Sequence, residues 1–261
     1  MPRFRKYILV SGLVGLLSHQ VLADTQILLD DGTRIDISNG ISVMSRVGET
    51  QSMVFNSQTR VMNIVDHSEG SYTPVSMQKI EESVATISSF RDSMLLKMQA
   101  QLKTLPTEQR QVFDDAMRQY LPADTQGALQ LKTVSKGNEV IAGISCSMQS
   151  LYDNKQHIAD VCMSIKASGG LTKEDQVTLL AMMKFFKEMA SKTAGLMASL
   201  EAPKLLSKTQ LEGWPVKFVD LQNGTQYAVK SVARHAYSPE YFTGHLKYQR
   251  KEMPTLQGVQ Q

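Results

Sequence analysis

Residues 27–43 read ILLDDGTRIDISNGISV, and this stretch decides the fold class. The apolar triplet Ile27, Leu28, Leu29 runs into Asp30-Asp31-Gly32, a turn signature. Ile35, Ile37, Ile41 and Val43 then recur mostly at every second position, around a second turn at Ser38-Asn39-Gly40. A period of two marks a half-buried strand, because successive side chains point to opposite faces of a sheet. Asn-Gly and Asp-Gly pairs supply the positive φ angles of tight hairpins. The spacing predicts a meander of short antiparallel strands that continues to about Ser76. Val47 extends the series, and residues 52–56 and 60–65 flank a third turn, Ser57-Gln58-Thr59.

Beyond Ser76 the period changes. Ile80, Val84, Ile87, Phe90, Met94, Met98 and Leu102 fall three and four apart, on one face of a long helix. Pro106 breaks it. Thr107 and Glu108, then Val112, Phe113, Met117 and Tyr120, predict a shorter helix ending before Pro122. The result is a helical hairpin over 76–121, inserted between two β regions. Strand pattern resumes near Leu129, with a turn expected at Lys136-Gly137-Asn138. Val140, Ala142, Ile144, Cys146 and Met148 then alternate with Ser145, Ser147 and Gln149. Asp153-Asn154-Lys155-Gln156 turns the chain into a return strand over 158–165, which Ser168-Gly169-Gly170 ends.

Thr172, followed three residues later by Asp175, resembles a capping box. The helix it opens carries an apolar stripe of Leu179, Met182, Met183, Phe186, Met189, Ala190, Thr193, Met197 and Leu200, and Pro203 closes it. Strands over 216–221 and 227–233, joined by Asn223-Gly224, follow. After Tyr237 the pattern becomes irregular, and the polar tail 254–261 reads as disordered. The order β, helical hairpin, β, helix, β lacks the alternation of a parallel sheet. The fold class is α+β, a curved antiparallel sheet with helices on one face.

The N-terminus carries a different signal. Arg3, Arg5 and Lys6 precede an apolar run over 7–17, a polar kink Ser18-His19-Gln20, and Val21-Leu22-Ala23. This is the layout of a secretory signal peptide cut after Ala23. The run is about 11 residues, roughly 16 Å of helix, about half of a bilayer's hydrocarbon core. It is expected to target the chain and then leave, releasing residues 24–261 as a soluble protein of the periplasm in a Gram-negative-type envelope. The whole chain carries a formal charge of +3. Loss of the three basic leader residues brings the mature chain to balance. No Lys/Arg-rich stripe remains to attract phosphate backbones, so nucleic acid is not an expected partner.

In an oxidising compartment two cysteines on adjacent strands form a natural disulfide, Cys146–Cys162. Direct opposition centres their hairpin on Asn154. The alternation leaves the pairing open, because Ala159, Val161, Met163 and Ile165 read as the buried set of the return strand and turn Cys162 to the other face. A one-residue slip or a bulge reconciles the two readings. Cys-x-x-Cys is absent, so the pair is structural. Met182, Met183, Met189 and Met197 invite a copper reading through their thioethers. Their helical spacing, with Phe185 and Phe186 between them, is better explained as core. His67, His157, His235 and His245 lack close ligand spacing. Neither a Gly-x-Ser-x-Gly elbow, a His-Glu-x-x-His helix nor a Walker loop occurs. Neither a metal nor a cofactor is expected.

Three motifs carry a resemblance. Val140-Ile141-Ala142-Gly143-Ile144-Ser145-Cys146 resembles the I-A-G-x-x-C strand of an uncharacterised periplasmic domain family, whose members often pair that cysteine with one on the next strand, here Cys162. Residues 60–66 and Gly213-Trp214-Pro215-Val216 resemble an earlier strand pair and a late G-x-P-V strand of the same family. That family is similar to the LolA/LolB lipoprotein carriers, open half-barrels whose concave side is plugged by helices. The resemblance implies one half-barrel domain over 24–253, with 76–121 as a helical insertion longer than a simple half-barrel carries. It implies a non-enzymatic protein binding a lipid, an acyl chain or an apolar segment of a lipoprotein or other envelope protein. On this reading Met182, Met183, Phe186, Met189 and Met197 line the pocket, as adaptable apolar side chains suit. The alternative expectation is a structural or protein-interaction module with a fully packed interior.

Overall fold

The computed structural model describes residues 24–104, 131–193 and 205–253. Six strands come first: β1 (Asp24–Leu29), β2 (Thr33–Ser38), β3 (Ile41–Arg46), β4 (Gln51–Asn56), β5 (Val61–Asp66) and β6 (Ser71–Val75). Helix α1 (Met77–Thr104) follows. A second group comprises β7 (Leu131–Ile141), β8 (Ile144–Asp153), β9 (Gln156–Ser164), helix α2 (Lys173–Lys192), β10 (Trp214–Asp220) and β11 (Gln226–His235). A short helix α3 (Pro239–Thr243), a 3₁₀ turn (Gly244–Lys247) and β12 (Gln249–Arg250) end the described chain.

The strands form one sheet of twelve, ordered β12-β6-β5-β4-β3-β2-β1-β11-β10-β9-β8-β7. All neighbours are antiparallel except β12, which runs parallel to β6. The fold class is therefore α+β, with a large, mostly antiparallel sheet. Two runs of sequential strands, β1–β6 and β7–β11, meet where β1 pairs with β11, Asp24 opposite His235 and Ile27 opposite Val232; in the second run β9 and β10 are joined through α2.

Local chemistry accounts for most element ends. Asn39 (φ 48°) and Gly40 (φ 79°) make the left-handed pair of the β2–β3 hairpin. The Thr172 side chain accepts from Asp175 N at 3.0 Å, and the Thr172 N–H donates to Asp175 Oδ2 at 2.8 Å, so the capping box at the start of α2 is complete. The expected turn at Lys136-Gly137-Asn138 is corrected. These residues lie inside β7, where the register shifts between Ser135 and Gly137 and Lys136 is the extra residue of a β-bulge. The chain reverses instead at Ala142 (φ 49°) and Gly143 (φ 79°). A left-handed glycine serves a bulge and a hairpin equally, so the tripeptide alone does not separate them. Gly169 packs onto this reversal so closely that a Cβ there would lie 2.7 Å from the Gly143 carbonyl carbon.

The main core joins Ile27, Ile35, Ile37, Phe55, Met62 and Val75 of the first strand group to Cys146, Met148, Cys162, Val216 and Val229 of the second. Helix α2 lies over it and crosses the strands. Its Gln176 Oε1 accepts from Trp214 Nε1 in β10 at 3.1 Å. Ser42 of β3 donates to Met182 Sδ at 3.3 Å, and Phe185 packs on Phe55 of β4 with ring centroids 5.4 Å apart. Arg60, at the β4–β5 turn, reaches Glu188 at 2.5 Å.

Two further findings depart from the helical and one-faced expectations. The apolar stripe of α1 is buried only at its start. Ile80 enters the core and Val84 packs against it, whereas Phe90, Met94 and Leu96 are exposed. The opposite face of β3–β5 is not bare either. Val43, Val54 and Val65 form a second-face cluster under Phe242, Tyr237 and Tyr241, so the irregular C-terminal segment is a strap across the sheet.

Candidate functional site

Of the residues expected to line a pocket, Met182, Phe186 and Met189 are buried in the main core, and Met183 is partly buried between that core and a neighbouring cluster. Met197 lies outside the described residues. The expected pair is bonded: Cys146 and Cys162 are joined, with Cα atoms 5.4 Å apart, inside the range a bridge requires. A bulge brings them to one face. Near the turn Tyr152 stands opposite His157, but from Leu151 opposite Ala159 onward the register has moved by one, leaving Ile158 as the extra residue. Cys162 thereby stands opposite Met148, two residues from Cys146, rather than opposite Ser147. The alternation was uninformative because β9 is buried on both faces. Cys162 enters the main core, while Ala159, Val161 and Met163 enter a second cluster with Leu205 and Leu206.

None of three grooves that open at the surface among the described residues is lined by Met182, Met183, Phe186 or Met189. The largest, about 930 Å³, runs past the start of α2 between Asp24, Asn39, Gln58, Glu174, Val177 and Arg234. Its buried wall is a connected polar set. Thr25 Oγ1 donates to Asp175 Oδ2 at 2.7 Å, Arg234 donates to Thr25 Oγ1, and Arg234 Nη2 donates to the Gly170 carbonyl at 2.8 Å. Each member is satisfied, so the set fixes the entry of α2 on β1 and β11.

The second groove, about 390 Å³, is apolar at its floor. Met44, Met53 and Ile64, cross-strand neighbours on the Phe55 face, lie beside Arg46 and Gln51. Met44 and Met53 also pack against the main core, so this opening is continuous with it.

The third, about 360 Å³, lies on the strapped face among Arg34, Arg46, Ser52, His67, Tyr241 and Tyr248. Ser52 Oγ and His67 Nε2 are 2.8 Å apart, the spacing of a nucleophile and its base. The other ring nitrogen of His67 faces Tyr248 Oη at 3.5 Å, which is not the orienting carboxylate of a triad. The pair joins β4 to the end of β5, and His67 alone of the two reaches the strap, through Tyr248.

Beneath this groove sits Asp36, with no exposed surface. It accepts from Tyr241 Oη at 2.5 Å, Tyr237 Oη at 2.8 Å and Gln26 Nε2 at 3.2 Å. Arg34 Nε lies 2.8 Å from Asp36 Oδ2 as an ion pair without hydrogen-bond alignment. Burial and the bond to this carboxylate push the Tyr237 phenol up to about 12, and the same causes raise Tyr241 further. Both phenols therefore remain donors at any physiological pH. His245 donates to the Phe242 carbonyl and lies 2.9 Å from Asn63 Nδ2; burial lowers its affinity for a proton. The Asp36 set is invisible to motif reading, since Asp36 and Tyr241 stand 205 positions apart and Gln26 and Tyr237 stand 211 apart. Only the isolated acid at Asp36 between Ile35 and Ile37, on the polar side of an amphipathic strand, marks it, and that reads as exposed.

Comparison of the chain with protein-family models, with curated proteins and with solved structures gives no match.

Proposed function

We propose that this chain is a non-enzymatic protein of the cell envelope, a LolA-like half-barrel acting as an interaction module with a filled interior. One observation carries the choice of a filled interior over an open pocket. Met182, Phe185, Phe186 and Met189, the stripe that an enclosed ligand would touch, are each less than one-tenth exposed and packed against β-strand side chains. A residue buried in this way already has its contacts, and a ligand adds none without displacing them.

The half-barrel rests on a length mismatch. Gln176 and Phe185 are nine positions apart, about 13.5 Å along α2. Their partners Trp214 and Phe55 stand in β10 and β4, five strand spacings apart, about 24 Å across a flat sheet. A sheet curled toward α2 removes the difference. Export to the periplasm rests on the leader pattern of residues 1–23 and is supported by the disulfide. Among the described residues no helix is long and apolar enough to cross a membrane. Helix α1 supplies the surface for an envelope protein partner; its Phe90 is 45 %, Met94 46 % and Leu96 69 % exposed.

In-cell crosslinking with native mass spectrometry of the same material tests this reading. A specific protein adduct on a lipid-free chain is expected; a stoichiometric lipid with no adduct refutes it. A second reading, a carrier of a lipid or acyl chain, is favoured by the groove of Met44, Met53 and Ile64, whose apolar floor joins the core. A lipid that leaves on Met53→Glu substitution selects it.

A further inference from the structure

The two ends of the sheet differ. At one end β12 contributes two residues, and Lys251 pairs with Glu69 across it, so that edge is short and closed. At the other end β7 runs for eleven residues, most of them exposed, and β8 is the one strand paired with it among the described residues. Such an edge presents a row of backbone donors and acceptors ready for another strand. Lys132 and Glu139 project from it, and neither forms an ion pair among the described residues.

We infer that β7 is a self-pairing edge, through which two copies of this chain join antiparallel over residues 131–140 about a two-fold axis between Ser135 and Lys136. The bulge sets the register. Residues directly opposite in an antiparallel pair share a face. In an unbroken strand that limits self-pairing to residues an even number apart, because the faces alternate. In β7, Lys132 and Val134 stand opposite Tyr152 and Ser150 before the bulge, and Gly137 and Glu139 stand opposite Met148 and Cys146 after it. All four lie on the face that carries the disulfide. Residues across the bulge therefore share a face when they are an odd number apart.

Among the registers this allows, one places Lys132 opposite Glu139 of the second copy, and by symmetry repeats that pair. It also matches Leu131 with Val140, Thr133 with Asn138 and Val134 with Gly137, each pair on a common face. A shift of two residues one way sets Lys132 against Gly137. The opposite shift sets Lys132 against Ile141 and Glu139 against Val134. The lysines and the bulge keep foreign strands off such an edge; in the one complementary register Lys132 is neutralised and the strand admits its own copy.

Sedimentation of the full mature chain between about 10 and 200 μM tests this against Glu139→Lys, Lys132→Glu and the double reversal. Cross-strand charge pairs are modest, and each single reversal turns two attractions into two repulsions, so a weakening of about 10-fold or more is expected. The double variant restores association to within about 3-fold of wild type, since 1.4 kcal/mol corresponds to tenfold. Far-ultraviolet dichroism confirms that the exposed substitutions leave the sheet intact. A wild-type chain that stays monomeric throughout overturns the inference. A dimer indifferent to both single reversals, or one that the double reversal does not restore, also overturns it.

Discussion

Replacing Tyr241 with Phe removes a single oxygen and interrogates the most buried carboxylate among the described residues. Asp36 has no exposed surface, so the three hydrogen bonds it accepts stand in for its lost hydration. Tyr241 Oη supplies the shortest, at 2.5 Å, and itself accepts from Arg34 Nη2 at 2.8 Å. The ring stays in Tyr241→Phe: its stack on Tyr237, with centroids 4.5 Å apart, and its edge contact with Phe242 persist. Two hydrogen bonds are then lost, the one to the buried carboxylate and the one from Arg34, and the first sets the scale, about 1.5–3 kcal/mol. For a domain of this size each kcal/mol moves the melting temperature by about 2–4 °C, so a 2 kcal/mol loss lowers it by about 4–8 °C. Thermal unfolding followed by near-ultraviolet dichroism reads the shift. A cycle with Asp36→Asn then assigns it, because the two changes share one interaction and their effects fall short of additive. A Tyr241→Phe protein melting within about 1 °C of wild type, or strict additivity in the cycle, refutes the view that this carboxylate fastens the C-terminal strap.

Three other outcomes follow from the geometry. Cys146 and Cys162 are 16 positions apart, and opening their loop is expected to cost about 3 kcal/mol in the chain-entropy model, checked by urea titration with and without reductant. His245 binds a proton less readily folded than unfolded, because of burial first and His67 second. Its contribution is therefore complete above pH about 6.5 and lost as pH falls from there through the lowered folded value; stability against pH should flatten in His245→Asn, and an unchanged slope counts against it. Phe185→Ala removes a ring with no exposed surface that packs on both Phe55 and Phe186, and a loss of about 3–5 kcal/mol is expected by denaturant unfolding.

What the sequence disclosed is what short-range chemistry controls. The meander over β1–β6, the capping box before α2 and the Asn223-Gly224 hairpin between β10 and β11 are each written within a few residues of where they act. What it concealed depends on distant neighbours. Whether Gly137 ends a strand or bulges it is decided by β8, and which way Cys162 points is decided by the extra residue at Ile158. The apolar spacing of α1 reads as one buried face, yet only its first turns meet the sheet, because periodicity reports amphipathicity and not the length of what lies opposite. The methionine stripe of α2 was legible as apolar; that Met182 and Met189 are buried in the core depends on what packs against them, which no pattern states.

The seam between β1 and β11 bears on how the molecule comes into being. Asp24 meets His235 across 211 positions, so the first strand made waits for nearly the last. Two half-sheets assemble early from neighbours, each leaving a raw inner border, and joining them demands the largest loop closure in the chain. By its sequence separation, that step is expected to be the slow one. Until it is complete, the nascent protein offers two unpaired strand margins at once, the kind of edge that invites pairing with another chain.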